Sequence, residues 1–459
     1  MIRHSFDPTI LREYDIRGVF NKNLSKADAK AVGLSFGTVV KESGGITICV
    51  GYDGRFSSLE LENNAVEGLL SCGLKISRIG LCSTPMLYYA VHKLQADAGL
   101  MVSGSHNPPE HNGFKMVLDR RPFFGGEIKK LGKISSSGNW STGKGVAEDV
   151  NIFDEYVQRL RSDFRGEHSF KVAWDAGNGS AGPAMSAICS KLPGEHILMN
   201  AEVDGSFPNH HPDPTVPEYL RQLQMEVCQS ECDLGFAFDG DGDRLGVVDG
   251  KGRIIWGDQL MVFFAADVLK ENPGAKIIAD VKASQILFDE IARMGGKPVM
   301  WRTGHSVIKS HMAEIGAPLA GEMSGHIFFA DKWFGFDDGL YAAVRLLNFL
   351  DGKEHSLAEI FDNLPKAVNT PELRFQCNDT RKFDVIKEVY QRVRSLDVKI
   401  NIVDGLRVQN ADGWWLLRAS NTQDALVARC EAEDLIGLQR LRDTLVSQLC
   451  KSGVEPPSF

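Results

Sequence analysis

Ser105 stands in the stretch Val102-Ser103-Gly104-Ser105-His106-Asn107-Pro108-Pro109-Glu110-His111-Asn112-Gly113-Phe114-Lys115-Met116, which crowds hydroxyl, imidazole, amide and ammonium groups together. Each proline fixes its own φ and pushes the preceding residue toward extended backbone, so Asn107-Pro108-Pro109 disfavours helix and leaves Ser105 at a sharp, rigid bend. The apolar run Ala98-Gly99-Leu100-Met101-Val102 ahead of it reads as a buried strand. Open α/β sheets bind ligands beyond the carboxyl ends of their strands, so a hydroxyl there suits a nucleophile or a phosphate carrier. Taken alone, the same residue types are those an ordinary turn demands.

A second stretch, Phe236-Ala237-Phe238-Asp239-Gly240-Asp241-Gly242-Asp243-Arg244-Leu245-Gly246-Val247-Val248, sets three aspartates at alternate positions between apolar runs. Glycines in the gaps let the three carboxylates converge. Unpaired, they would repel one another and raise each other's pKa values, a conflict that a hard divalent cation removes. Ligands that are all oxygen point to Mg²⁺ or Mn²⁺ more than to zinc. An EF-hand needs glycine sixth and glutamate twelfth, and Arg244 and Gly250 hold those places, which excludes it. A solvated Asp-Gly turn is the plainer alternative, and the flanking apolar runs speak against it. Three ligands leave a Mg²⁺ ion room for a phosphate, and a phosphate carried on Ser105 would fill it.

Other polar stretches follow candidate strands. Gly321-Glu322-Met323-Ser324-Gly325-His326 mixes donors and acceptors suited to sugar hydroxyls, or to a satisfied polar turn. Arg418-Ala419-Ser420-Asn421-Thr422, with Arg429 and Glu431 beyond it, offers a guanidinium fork, hydroxyls and loop amides for a phosphate. Lys282, Arg302 and Thr303-Gly304-His305-Ser306 follow further candidate strands, where each is either a group lining a shared cleft or an ordinary surface charge or satisfied histidine. Tyr14-Asp15-Ile16-Arg17-Gly18 precedes any clear periodic element and reads as a loop.

The elements that must position these groups alternate between strand and helix. Helical patterns over 27–41, 60–71 and 85–93 interleave with strands at 46–50, 75–79 and 98–102, which predicts a mainly parallel, helix-covered sheet. Two further strand starts, at Phe170 and Ala275, open similar units. The last segment, with strands near Arg374, Val398 and Trp415 and a helix over 432–450, reads as a small α+β unit. The expected division is 1–151, 152–252, 253–368 and 369–459: three α/β units and a closing α+β domain, consistent with 459 residues being too many for one core.

The chain is net acidic, with 51 Lys and Arg against 60 Asp and Glu, a poor balance for binding nucleic acid. Nine cysteines without a C-x-x-C pair fit reduced thiols in a cytoplasmic protein. No stretch approaches the length of a membrane span.

Taken in order, these motifs resemble the α-D-phosphohexomutase family, most closely its bacterial phosphomannomutase/phosphoglucomutase branch, over essentially the whole chain. The resemblance implies four domains around a central cleft, the first three alike and the fourth mobile. It makes Ser105 the phosphoserine, and Asp239, Asp241 and Asp243, with the Ser105 phosphate, the Mg²⁺ ligands. Glu322, Ser324 and His326 become the sugar loop, and Arg418, Ser420, Asn421 and Thr422 the site of the non-reacting phosphate. Tyr14, Arg17, His106, Lys115, Arg244, Lys282, Gly304 and His305 fall at cleft positions, Lys115 and His305 as proton-transfer helpers. The implied reaction interconverts the 1- and 6-phosphates of mannose and of glucose through a hexose 1,6-bisphosphate, with glucose 1,6-bisphosphate as activator and the protein acting as a monomer. Glucosamine phosphate is the alternative substrate, and a silent sugar-phosphate binder the alternative to an enzyme. Three positions stand out against the family: Ser103 replaces the usual threonine, Gln423-Asp424-Ala425 lacks the usual proline, and Met323 favours the manno/gluco branch over glucosamine-specific relatives.

Overall fold

The computed structural model describes residues 3–420 and 424–456, arranged on four separate sheets. The first runs in the order Ile16–Val19, His111–Leu118, Ala98–Val102, Thr47–Tyr52, Lys75–Leu81, Val146–Asp149, with Arg121–Pro122 hairpinned onto His111–Leu118. The second is Ile254–Ile255, Leu245–Asp249, Leu234–Phe238, Phe170–Asp175, Gly194–Met199, and the third Lys297–Trp301, Lys276–Asp280, Leu319–Gly321, Ile327–Phe329.

One pattern recurs in all three. One strand (Thr47–Tyr52, which follows the edge strand Ile16–Val19 in the first unit, and the unit's first strand in the other two) takes the centre, the next two flank it in parallel, and the chain then reverses into an antiparallel strand. Parallel neighbours need long crossovers, supplied here by helices such as Ser58–Ser71 and Thr84–Lys93 in the first unit and Gln285–Arg293 and His305–Ile315 in the third. The reversal needs only a short loop, at 103–110, 239–244 and 322–326. The serine stretch, the aspartate comb and the Glu-Met-Ser loop therefore occupy the same topological place on three sheets.

Strands Ala98–Val102 and Leu234–Phe238 are buried throughout, as a sheet covered on both faces requires. A single apolar cluster joins the three units, containing Tyr88 and Met101 from the first, Trp174 and Phe236 from the second, and Phe264 and Leu340 from the third. The fourth sheet is antiparallel throughout, ordered Val368–Asn369, Ala425–Ala432, Gly413–Ala419, Leu406–Asn410, Lys399–Asn401, with Leu373–Gln376 also on Ala425–Ala432. It has its own core around Val385, Trp415 and Leu441, beneath helices Asp379–Val393 and Leu435–Lys451.

Three α/β units and an α+β unit agree with the sequence reading, but one local expectation needs correction. Ile16–Val19 is an edge strand, not a loop, paired antiparallel with His111–Phe114. Ile254–Ile255 closes a meander on the second sheet, pairing with Val247–Val248. Among the described residues, no helix is long and apolar enough to cross a membrane.

Candidate active site

Ser105 is 2% exposed and takes φ +50°, a left-handed backbone uncommon outside glycine and costly for a side-chain-bearing residue. What holds it there is Arg55. Its buried guanidinium donates to the carbonyls of Ser105 and Asn107, both at 2.6 Å, of Pro108 at 2.6 Å, and of His111 at 3.1 Å. Asp53 completes the clamp by accepting from Gly104 N at 3.0 Å. Gly104 must lack a side chain, because a Cβ there would lie 2.3 Å from Arg55 Nε. The sequence shows Asp53 and Arg55 only as part of the turn Gly51-Tyr52-Asp53-Gly54-Arg55 that follows the strand expected at 46–50. Arg55→Lys replaces a planar fork by a point charge. Loosening the serine loop in this way will lower kcat by about 10²-fold with the circular-dichroism spectrum intact; an unchanged kcat would refute the clamp.

The aspartate comb meets the serine loop directly. Ser105 Oγ donates to Asp239 Oδ2 at 2.9 Å and lies 3.1 Å from His106 Nδ1. Asp239 Oδ1 accepts from the N–H groups of Asp243 and Arg244. Asp241 Oδ2 accepts from Lys115 Nζ at 2.7 Å, Thr84 Oγ1 at 2.5 Å and Ser103 Oγ at 2.9 Å, so the serine that stands for threonine in the first loop still reaches the acid. Lys115 Nζ also donates to Asp243 Oδ2 at 2.6 Å.

All three carboxylates are fully buried, and ligand oxygens from the three lie within 4.8 Å of one another. Burial first, then the charges of Asp243 and Asp241, pushes the Asp239 carboxyl well above the usual range. For Asp241 burial acts the same way, but the Lys115 ammonium and its hydrogen bonds overcome it and hold the carboxyl below that range. Asp241 Oδ1 and Asp243 Oδ1 make no hydrogen bond. Crowded, desolvated, all-oxygen donors with free acceptor atoms fit a hard divalent cation.

From the comb a chain of contacts leads to the third unit. Arg244 Nε donates to His326 Nε2 at 3.0 Å, which leaves the proton of a neutral His326 on Nδ1. That nitrogen approaches Asp337 Oδ2 at 2.9 Å and Asp243 Oδ1 at 3.5 Å. His305 stacks on His326 with centroids 5.3 Å apart and brings its Nδ1 to 3.6 Å from the same Asp337 oxygen. Lys309 Nζ holds the other Asp337 oxygen at 2.7 Å. Burial, then Lys309, keeps His305 well below its ordinary pKa, and burial, then Arg244 and Arg17, does so for His106, which favours the neutral form of both imidazoles.

Tyr14 donates to Thr303 O at 2.9 Å and meets the His305 ring edge-on. Gly304, at φ +129°, donates its N–H to Glu322 Oε1 at 2.6 Å, and a Cβ there would strike the Tyr14 ring at 2.7 Å. Ser324 Oγ lies 3.4 Å from Glu322 Oε2. Arg17 pairs with Asp15 at the edge of this group.

Lys282, Arg418 and Ser420 form a second group, where the fourth unit docks on the third. Lys282 Nζ is bound by Glu372 at 2.9 Å, and Arg418 Nε by Asp404 at 3.1 Å, while Asp404 also accepts from Thr303 N. The Ser420 carbonyl accepts from the buried Lys382 ammonium at 2.6 Å. Arg429 reaches across to the Lys282 carbonyl and Asp258. Asn421 and Thr422 lie outside the described residues. Thr303-Gly304 thus stands between the two groups. The contributors that the motifs did not reveal, Arg55, Asp53, Thr84, Asp337 and Lys382, all act through partners distant in sequence.

Comparison with known proteins agrees with this geometry. Family models described as phosphoglucomutase/phosphomannomutase match in chain order: alpha/beta/alpha domain I at residues 8–133, domain II at 154–252, domain III at 256–368 and the C-terminal domain at 372–448. The chain is 43% identical over 443 residues to a phosphomannomutase/phosphoglucomutase of Pseudomonas syringae pv. tomato, covering 96% of this chain and 95% of that protein. It is 40% identical over 438 residues to a phosphoglucomutase of Neisseria gonorrhoeae, covering 95% of each. The crystal structure of a phosphoglucomutase/phosphomannomutase family protein from Burkholderia thailandensis superposes with a TM-score of 0.94 at 39% identity, over 99% of this chain and 100% of that one. With all four domain models matched across most of its length, the chain belongs to the phosphoglucomutase/phosphomannomutase family.

Proposed function

We propose that this protein is a phosphohexomutase that interconverts the 1- and 6-phosphates of mannose and glucose, with Ser105 as the phosphoryl carrier. The observation that carries the reading is Ser105 Oγ in hydrogen-bond contact with a buried carboxylate cluster, on a loop locked by Arg55. Phosphoryl transfer asks for positioning and charge stabilisation more than covalent chemistry, and this site is built for both. Asp239, Asp241 and Asp243 would hold Mg²⁺, which when bound supplies positive charge against the transferring phosphoryl group.

The chain's own residues do the rest. The P–O bond to Ser105 breaks as the sugar hydroxyl bonds to phosphorus, and the departing Ser105 Oγ would regain a proton from the Lys115 ammonium of the same cluster. The hydroxyl proton passes to a neutral imidazole, for which His305 is suited, being held neutral beside Asp337 and at the edge of the sugar loop. Lys115 balances the acids while the carrier's charge changes. Glu322, Ser324 and His326 orient the sugar, with Tyr14 and Gly304 shaping that wall. Arg17, His106 and Arg244 surround the carrier, and Lys282, Arg418, Ser420, Asn421 and Thr422 receive the distal phosphate. Glucose 1,6-bisphosphate would prime Ser105, and the protein would act as a cytoplasmic monomer.

The test is a mixture of the Mg²⁺-loaded protein, mannose 1-phosphate and a trace of glucose 1,6-bisphosphate. Accumulation of mannose 6-phosphate with almost no inorganic phosphate is expected; stoichiometric phosphate release, or no turnover, would overturn the reading. A second outcome concerns the docked fourth unit. Lys282 must exchange Glu372 for the substrate phosphate, so Glu372→Gln will lower KM by about threefold with kcat little changed. A raised KM would show that Glu372 instead aims the lysine.

A further inference from the structure

A second cavity lies apart from the catalytic groups. It is a space of about 960 Å³ lined by residues of the first and third units, and apart from the neighbouring Lys309 no residue of the site described above lines it. Sites that bury small molecules favour such domain boundaries and such sizes, with mostly apolar walls and a few placed polar groups.

Its wall has two parts. One is aromatic: Phe334 and Phe336 lie parallel, 5.9 Å apart at 6°, Phe334 is 41% exposed, and His92 packs on both. The His92 imidazole makes no hydrogen bond among the described residues, leaving polar atoms available at the aromatic wall. The other part is cationic. Arg120 and Arg121 stand on the hairpin that closes His111–Leu118 onto Arg121–Pro122, where Leu118 pairs with Arg121 around a two-residue turn. Both turn residues, Asp119 and Arg120, have positive φ, of +50° and +59°, a strain that glycine would avoid. Arg120 has no ion pair among the described residues, and Arg121 only a 4.0 Å approach to Asp119. The carboxylates of the same wall are engaged: Asp331 by both nitrogens of Arg345, Glu314 by His311, and Glu127 by the Phe124 N–H.

The cavity also touches the catalytic machinery through one helix. His305–Ile315 begins at the catalytic imidazole and presents Lys309 and Met312 to the cavity. Lys309, its Nζ 4.4 Å from the Tyr88 ring, binds Asp337, whose other oxygen faces His305 and His326. An anion reaching Lys309 competes with Asp337 for it, and so disturbs the carboxylate that both imidazoles face.

We propose that this cavity is a second ligand site, for a molecule that carries an aromatic ring and an anionic group as a nucleotide does, and that its occupancy lowers turnover through Lys309 and Asp337. The ring stacks on Phe334 and the anion lies between Arg120 and Lys309. The binding half stands independently of the mutase reading, and the turnover half rests on it.

The probes are ADP, GDP and UDP, titrated calorimetrically into the full chain at constant free Mg²⁺, with and without saturating glucose 1-phosphate. At least one is expected to bind under both conditions. Phe334→Ala and Arg120→Ala, both at exposed positions, should each weaken it by about tenfold while leaving basal kcat unchanged. Saturation should lower the wild-type kcat by about twofold or more and leave that of Phe334→Ala untouched. No binding by any probe up to millimolar concentration, loss of binding in glucose 1-phosphate, or variants that bind like wild type would each overturn the site. Binding with no change in kcat would overturn the coupling, whereas absence of any mutase turnover would overturn only the reading on which the coupling rests.

Discussion

Ser105→Ala protein, incubated with glucose 1,6-bisphosphate and Mg²⁺, will show no phosphate-sized gain in intact mass, and its mutase turnover will fall by at least about 10⁴-fold, or about 5 kcal/mol of barrier. The size of the effect follows from what is removed. Asp239, Arg55 and the reversal loop place one oxygen, and no neighbour duplicates it: Ser103 Oγ donates to Asp241, and Thr84 Oγ1 does likewise. The fold should tolerate the change, because alanine keeps the backbone that Arg55 clamps. A variant that retains turnover, or still gains the phosphate mass, would mean that another group carries the phosphoryl.

Asp239→Asn is expected to act in opposite directions on activity and stability. Turnover will drop by about 10³-fold, because the proposed cation ligand and the hydrogen-bond acceptor of the Ser105 hydroxyl are lost together. The metal-free protein, by contrast, will melt roughly 2–6 °C higher. Asparagine keeps an oxygen for the N–H groups of Asp243 and Arg244 and removes one of three mutually repelling buried charges. The sign with pH follows. Because the folded carboxyl is raised, its stabilising contribution is complete below the unfolded value near pH 4 and is lost as pH rises through the folded value. Metal-free wild type should therefore lose more stability than the variant above about pH 4. Scanning calorimetry with and without Mg²⁺ decides it: the ion should raise the wild-type midpoint and leave the variant's nearly fixed. A variant less stable than metal-free wild type at neutral pH would show that the acids are not in conflict.

Much of this site is written locally. Ser105 and the aspartate comb could be found because each lies between an apolar run, which marks a strand, and residues that only a tight loop accommodates. The Ile16–Val19 strand could not, since four residues including an arginine and a glycine carry no alternation, and their partner lies beyond residue 110. Arg55 was equally hidden. A turn arginine is ordinarily a surface charge, and nothing near it says that four carbonyls from 50 to 56 positions onward will close around it. Asp337 follows the same rule, for its value lies in Lys309, His305 and His326, which converge only once the third sheet forms. Lys282 and Arg418 were visible as cations, whereas their restraint by Glu372 and Asp404 belongs to the docking of one unit on another.

The common core that runs through the first three units bears on how the molecule comes apart. Tyr88, Trp174 and Leu340 belong to one apolar mass, so the Ser105, aspartate and Glu322 loops rest on units tied together by a shared core, while the first unit also carries a separate cluster around Phe36 and Leu100. The fourth unit has a core of its own and meets the third through ion pairs and the small patch of Val281, Trp414 and Leu416. It is the unit whose separation would expose least of that shared core, so opening there would leave the three loops assembled.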